Sequence, residues 1–166
     1  MALYVVDSNF FIEAHRVTYP LDVAVGFWNK VLHLANDGII VSIDKVKDEI
    51  YECNDGLKAW CQANLPSEFF INSDEFVDEY VKVAAWASSR SKHYLPKALN
   101  EFLDADKADA FIVACALADS QNRIIVTQEV SEPNRKNKIK IPDCCNALGV
   151  RYINTVEMFR KLGETF

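Results

Sequence analysis

The sequence predicts an α/β fold built on a parallel sheet. Short apolar runs at Leu3–Val6, Ile39–Val41 and Ile124–Val126 alternate with longer stretches whose apolar residues recur at helical spacing. Two of these runs, the first and the last, stop abruptly at polar clusters that begin with Asp7 and Thr127. A buried parallel strand produces that pattern, because both of its faces are covered and its chain turns at the edge where ligands bind.

The elements follow in order. Leu3-Tyr4-Val5-Val6 is the first strand and delivers Asp7, Ser8 and Asn9 at its C-terminal end. A helix is expected from about 21 to 36, started by Pro20 and closed by Gly38, with Ala24, Phe27, Trp28, Val31, Leu32 and Ala35 on its apolar side. The second strand is 39–41, after which Ser42 is a candidate N-cap for a helix running into the fifties. Val46, Ile50 and Cys53 form its stripe. Glu49 lies about 60° from Val46 on a helical wheel and stays beside that stripe, whereas Asp48 and Glu52 point away.

Residues 55–103 read as a helical excursion, with Asp74 capping one helix, Pro96 opening another and 88–92 as the loop between them. A further helix is expected from about 105, and its run 110–118 carries no charge. That run must be almost wholly buried, with Asp109 at its mouth. Asp106 is either an N-cap or a residue on a neighbouring face of this helix. After the third strong strand come Thr127, Gln128 and Glu129, then a weaker strand near 150–153 and a final amphipathic helix with Val156, Phe159 and Leu162. The expected sheet therefore has about four to five strands in a single domain over residues 1–166.

Composition narrows the function classes. Half of the 166 residues are hydrophobic, which excludes disorder, and no apolar run approaches the roughly 20 residues of a membrane span. A cytoplasmic home is expected. The formal charge of −6 disfavours nucleic-acid binding by the molecule as a whole, so any such binding must use a local basic patch. Arg135, Lys136, Lys138 and Lys140, just after Glu129, form the most basic stretch. Five cysteines in no CxxC spacing and three histidines in no ligand spacing predict free thiols and no zinc site.

Four carboxylates remain. Asp7 and Glu129 follow separate strands and should emerge on one edge of a parallel sheet, while Glu49 and Asp109 come from early turns of mostly apolar helix faces. Each alone has an ordinary explanation as a cap, an ion-pair partner or a solvated acid. Gathered in one cleft they would repel one another unless a cation neutralised them. Hard oxygen donors without His or Cys select Mg²⁺ or Mn²⁺.

The motifs Val5-Val6-Asp7-Ser8-Asn9, Glu49 on the helix after the second strand, 108–116 around Asp109, and Ile125-Val126-Thr127-Gln128-Glu129 together resemble the PIN-domain nucleases. Among these, the sequence is most similar to the toxin components of bacterial toxin–antitoxin pairs. The resemblance spans residue 3 to about 153. It implies a PIN-like three-layer fold and an endoribonuclease whose Mg²⁺ or Mn²⁺ is held by Asp7, Glu49, Asp109 and Glu129, the last replacing the Asp that many relatives carry. It further implies Ser8, Asn9 and Thr127 as polar neighbours of the substrate, an antitoxin partner and a possible homodimer. The basic loop Arg135–Lys140 is the expected RNA contact. The alternative is a PIN-like module that has lost catalysis and binds protein. An aspartyl phosphatase would want an acid at position 9, which is Asn, and a receiver domain a Lys after its last strand, where Asn154-Thr155 stands.

Overall fold

The computed structural model describes residues 1–53 and 55–166. Five parallel strands make one sheet in the order β3-β2-β1-β4-β5: β1 (Leu3–Val6), β2 (Ile40–Ile43), β3 (Phe70–Ile71), β4 (Arg123–Val126) and β5 (Arg151–Ile153). The chain moves outward from β1 through β2 to β3, then returns to the other side of β1 for β4. That reversal puts a crevice at the C-terminal ends of β1 and β4, where connections diverge to opposite sides. The register Val6↔Val126 brings Asp7 level with Thr127 across it.

The helices are α1 (Ser8–Glu13), α2 (Val25–Asn36), α3 (Asp44–Glu52), α4 (Gly56–Asn64), α5 (Val77–Ser89), α6 (Pro96–Phe102), α7 (Asp109–Leu117), α8 (Ile141–Leu148) and α9 (Thr155–Leu162). They flank the sheet, giving the three-layer α/β architecture that the sequence predicts. Val5, Val6, Ile40, Ile43, Ile125 and Val126 are fully buried at the centre. Ile112, Val113, Ala114, Cys115 and Ala116 of α7 are likewise inaccessible, as expected for a charge-free helix. Removing a large side chain from this layer is expected to cost about 2–5 kcal/mol.

Several local expectations are corrected. Ser42 belongs to β2, and its hydroxyl donates to the Val6 carbonyl at 2.7 Å rather than capping α3. The second helix starts at Val25 rather than near 21, with the wider π-type turns Ala14–Thr18 and a short turn before it. Asp74 is not a cap: Asn72 accepts the Asp74 amide, opening the 3₁₀ turn Ser73–Phe76 that leads into α5. The excursion is not purely helical, because Phe70 and Ile71 pair with Ser42 and Ile43. α7 begins at Asp109 rather than near 105, and its N-cap position is Ala108. Asp106 is an exposed turn residue whose amide is taken by Asp104 Oδ1 at 2.8 Å. α8 occupies a stretch to which the sequence pattern assigns no helix.

Cys61, Cys115, Cys144 and Cys145 are buried free thiols, and Cys53 is half-buried. Burial pushes the Cys115 thiol up to about 11 and Cys61 to about 12, so neither is poised to react.

Candidate active site

Asp7 is the first residue beyond β1 and the N-cap of α1. Its amide still extends the sheet by donating to the Val126 carbonyl at 2.9 Å, and its carbonyl accepts the Phe10 amide at 3.1 Å in the first turn of α1. The side chain is 2% exposed. Its Oδ1 accepts the Ser8 amide at 2.7 Å and its Oδ2 accepts the Thr127 hydroxyl at 3.1 Å.

Thr127 links three parts of the crevice. Besides donating to Asp7, its Oγ1 accepts the Asn9 Nδ2 at 3.3 Å and the Glu129 amide at 3.1 Å. Asn9 in turn accepts the Gln128 amide at 3.1 Å through Oδ1. These bonds tie the start of α1 to the turn after β4. The polar atoms of Asn9 and Thr127, expected beside the substrate, are thus engaged in orienting Asp7 and Glu129.

The other two acids enter from helices. Glu49 Oε1 accepts the Ala108 amide at 3.0 Å, so a side chain from α3 supplies the cap that Ala108 cannot. This places Glu49 against Asp109 in the next residue. Glu129 Oε2 accepts the Ile141 amide at 2.7 Å and performs the same service for α8, whose N-cap position is Lys140. Each glutamate thereby spends one oxygen on a helix start, where the partial positive charge favours an anion, and leaves the other oxygen for further contacts. Glu129 Oε1 lies 3.9 Å from Lys138 Nζ.

The electrostatics bind the four into one cluster. Burial pushes the Asp7 carboxyl well above its ordinary value, and the charges of Asp109, Glu129 and Glu49 push it further, against the Ser8 hydrogen bond. Burial raises Asp109 to about 7, with Glu129 and Glu49 adding to the rise and Lys138 and Lys140 opposing it. These are the marks of anions gathered without enough positive charge. Glu49, Asp109 and Lys138 open onto a cleft of about 340 Å³. Glu101 and Lys107 line it too. Lys107 stands two residues before Asp109 in sequence, but nothing in sequence marks Glu101.

The basic loop divides. Lys138 lines the cleft beside the acids and, with Lys140, lowers Asp109, whereas the Arg135 guanidinium is held by Glu132 at 2.9 Å and Asn137 at 2.8 Å. Lys136 turns to a separate depression with Arg90 and Lys92. The loop is anchored beyond Glu129 by buried Asp143, which accepts the Ser131 hydroxyl at 2.5 Å and the Glu132 amide at 3.1 Å.

A divalent cation suits the chemistry of this donor set, which is carboxylate oxygen throughout and is short of positive charge. Among the described residues, no three His, Cys, Asp or Glu side chains are drawn together closely enough to enclose an ion as they stand.

Among the described residues no helix is long and apolar enough to cross a membrane. The chain belongs to the family described as Domain of unknown function (DUF4411), whose model matches residues 4–166. No curated protein matches the sequence.

Proposed function

We propose that this member of the DUF4411 family is a Mg²⁺- or Mn²⁺-dependent endoribonuclease of the PIN type. The observation that carries the reading is the convergence of Asp7, Glu49, Asp109 and Glu129, from four separate parts of the chain, on the crevice beside β1 and β4, with Asp7 and Asp109 raised first by burial and further by neighbouring carboxylates. A structural role alone gives no reason to concentrate buried negative charge in this way.

A bound divalent ion supplies the Lewis acidity that activates water and offsets charge developing on a phosphodiester. The protein's part is positioning. The Ser8 amide and Thr127 hydroxyl fix both oxygens of Asp7, favouring the ionised carboxylate that a cation needs. Glu49 and Glu129 are anchored by their bonds to Ala108 and Ile141, so their remaining oxygens can orient an attacking water. Lys138, which lines the cleft and with Lys140 tempers the charge of Asp109, is suited to a non-bridging phosphate oxygen at its mouth.

By its resemblance to PIN toxins, the protein is read as the toxin of a toxin–antitoxin pair in the cytoplasm, restrained by a protein that lays an Arg or Lys among the four acids. Homodimer formation belongs to the same reading. One observation favours a second reading, a non-catalytic PIN-like module that binds protein: both glutamates already serve as helix caps, a structural use that would outlive catalysis.

The test is cleavage of single-stranded RNA by the purified protein with Mn²⁺, beside Asp109→Asn. Cleavage that EDTA and the substitution both abolish supports the nuclease. A well-folded wild-type protein that binds no metal and cuts no RNA supports the module.

A further inference from the structure

A second charged feature lies outside the acidic crevice. Ser89, Arg90, Lys92 and His93, at the turn between α5 and α6, line an open depression of about 290 Å³ together with Lys136 from the loop after β4. In a chain of net charge −6, three cations brought together here are a strong local departure. Their charge is also unspent. Among the described residues, none of Arg90, Lys92 and Lys136 forms an ion pair, whereas Arg16, Lys30, Lys97, Arg135 and Lys138 each stand within 4.0 Å of a carboxylate. Arg90 instead lies over the Tyr94 ring, 5.9 Å from its centroid, which steadies the guanidinium without neutralising it. His93 Nε2 takes no hydrogen bond among the described residues.

The depression is tied to the acidic site. The Leu95 amide donates to the Lys136 carbonyl at 2.9 Å, pinning the basic loop to the α5–α6 turn. Lys138, two residues along the same loop, lines the cleft of Glu49 and Asp109 and approaches Glu129 at 3.9 Å. Two residues of chain span at most about 7 Å, so Lys136 and Lys138 can meet neighbouring parts of one extended polyanion. The acids repel a nucleic-acid backbone, and free cations beside them supply the attraction that the crevice lacks.

We infer that Arg90, Lys92 and Lys136 form a backbone-binding subsite that receives the phosphates of a single-stranded RNA a few nucleotides from the acidic crevice. The subsite rests on the reading of that crevice as an RNA-cutting site and adds to it a track across the α5–α6 turn. It recognises phosphate rather than base, because lysine and arginine on an open surface carry no base code. Its contribution therefore grows with substrate length and falls with salt.

Binding of a short fluorescein-labelled RNA of mixed sequence, followed by anisotropy in EDTA so that no strand is cut, tests the inference. Arg90→Ala/Lys92→Ala is compared with Arg160→Ala/Lys161→Ala, which removes equal charge from exposed positions on α9. The first pair is expected to weaken binding about tenfold at low salt and to lower the salt slope by about 1.4, with the second pair unchanged. Equal weakening by both pairs reduces the effect to bulk charge and overturns the subsite. Wild-type affinity in Arg90→Ala/Lys92→Ala also overturns it, while leaving the nuclease reading to its own cleavage assay. No RNA binding by the wild-type protein in EDTA overturns the subsite and leaves the metal-dependent nuclease to the cleavage assay with Mn²⁺. Binding of polyglutamate but not RNA, lost in Arg90→Ala/Lys92→Ala, assigns the patch to an acidic protein and overturns the RNA assignment.

Discussion

Glu49 and Ala108, 59 residues apart in sequence, are joined by a 3.0 Å hydrogen bond from the Ala108 amide to the Glu49 carboxylate. This contact both caps the buried helix α7 and sets Glu49 beside Asp109. Cap and charge are separable. Glu49→Gln keeps an acceptor oxygen and should leave thermal stability nearly unchanged, whereas Glu49→Ala should lose about 1 kcal/mol with the cap. Both should lower RNA cleavage. Thermal melts paired with a cleavage assay decide it: equal destabilisation by Gln and Ala would mean that the bond does not act as a cap.

Asp7→Asn and Asp109→Asn should each abolish cleavage and leave the metal-free fold at least as stable as the wild type. Each removes a charge whose burial and neighbours oppose ionisation. Melting in EDTA and turnover in saturating Mn²⁺ are the two readouts. Wild-type turnover in either variant would break the shared-metal account.

Stability without metal should depend on pH in an unusual direction for a carboxylate. Asp109 has an ordinary value of 3.8 and is raised to about 7 in the folded protein, so the folded state binds its proton more tightly than the unfolded chain does. The penalty for keeping it charged is complete above about 7 and is relieved progressively as pH falls from there toward 3.8. Melting temperature in EDTA should therefore rise on acidification through neutrality, and Asp109→Asn should flatten the rise. A wild-type melting temperature that falls over that interval would contradict the assigned direction.

Thr127 acts on Asp7 through its hydroxyl. Thr127→Val keeps the shape but deprives Asp7 Oδ2 of its donor, so the carboxyl should rise further and the acidic limb of the Mn²⁺-dependent pH–rate profile should move to higher pH. Thr127→Ser should restore the wild-type profile. A purely structural threonine would lower activity without moving that limb.

Lys138 and Lys140 lower Asp109, while Arg135 is committed to Glu132 and Asn137. Lys138→Ala/Lys140→Ala should therefore reduce the salt slope of RNA binding by about 1.4, and Arg135→Ala should leave it nearly unchanged. A larger effect from Arg135 would reverse this division of the loop.

What could be read from sequence followed from how strongly each element is forced. β1, β4 and α7 are apolar runs too long and too continuous to be anything but buried, so Asp7 and Asp109 at their ends were legible. Ser42 misled because serine before a helical pattern is an ordinary cap, yet here the strand continues through it and its hydroxyl finds the Val6 carbonyl instead. β3 is two residues between 3₁₀ turns, below the length at which alternation can register. α8 carries a signal, Pro142 in its first turn and Gly149 at its end with φ of +72°, but eight residues give the apolar periodicity little length in which to register. The helix-start bonds of Glu49 and Glu129 could not be read at all, since they join elements by tertiary placement rather than by spacing.

The most direct measurement is the anomalous scattering of Mn²⁺ soaked into crystals of the protein. The account requires a single strong peak, or two adjacent ones, in contact with Asp7 and Asp109 and lost in Asp7→Asn. A peak held elsewhere, or an empty crevice in crystals of a protein that still cuts RNA, would contradict the claim that these carboxylates hold the catalytic ion.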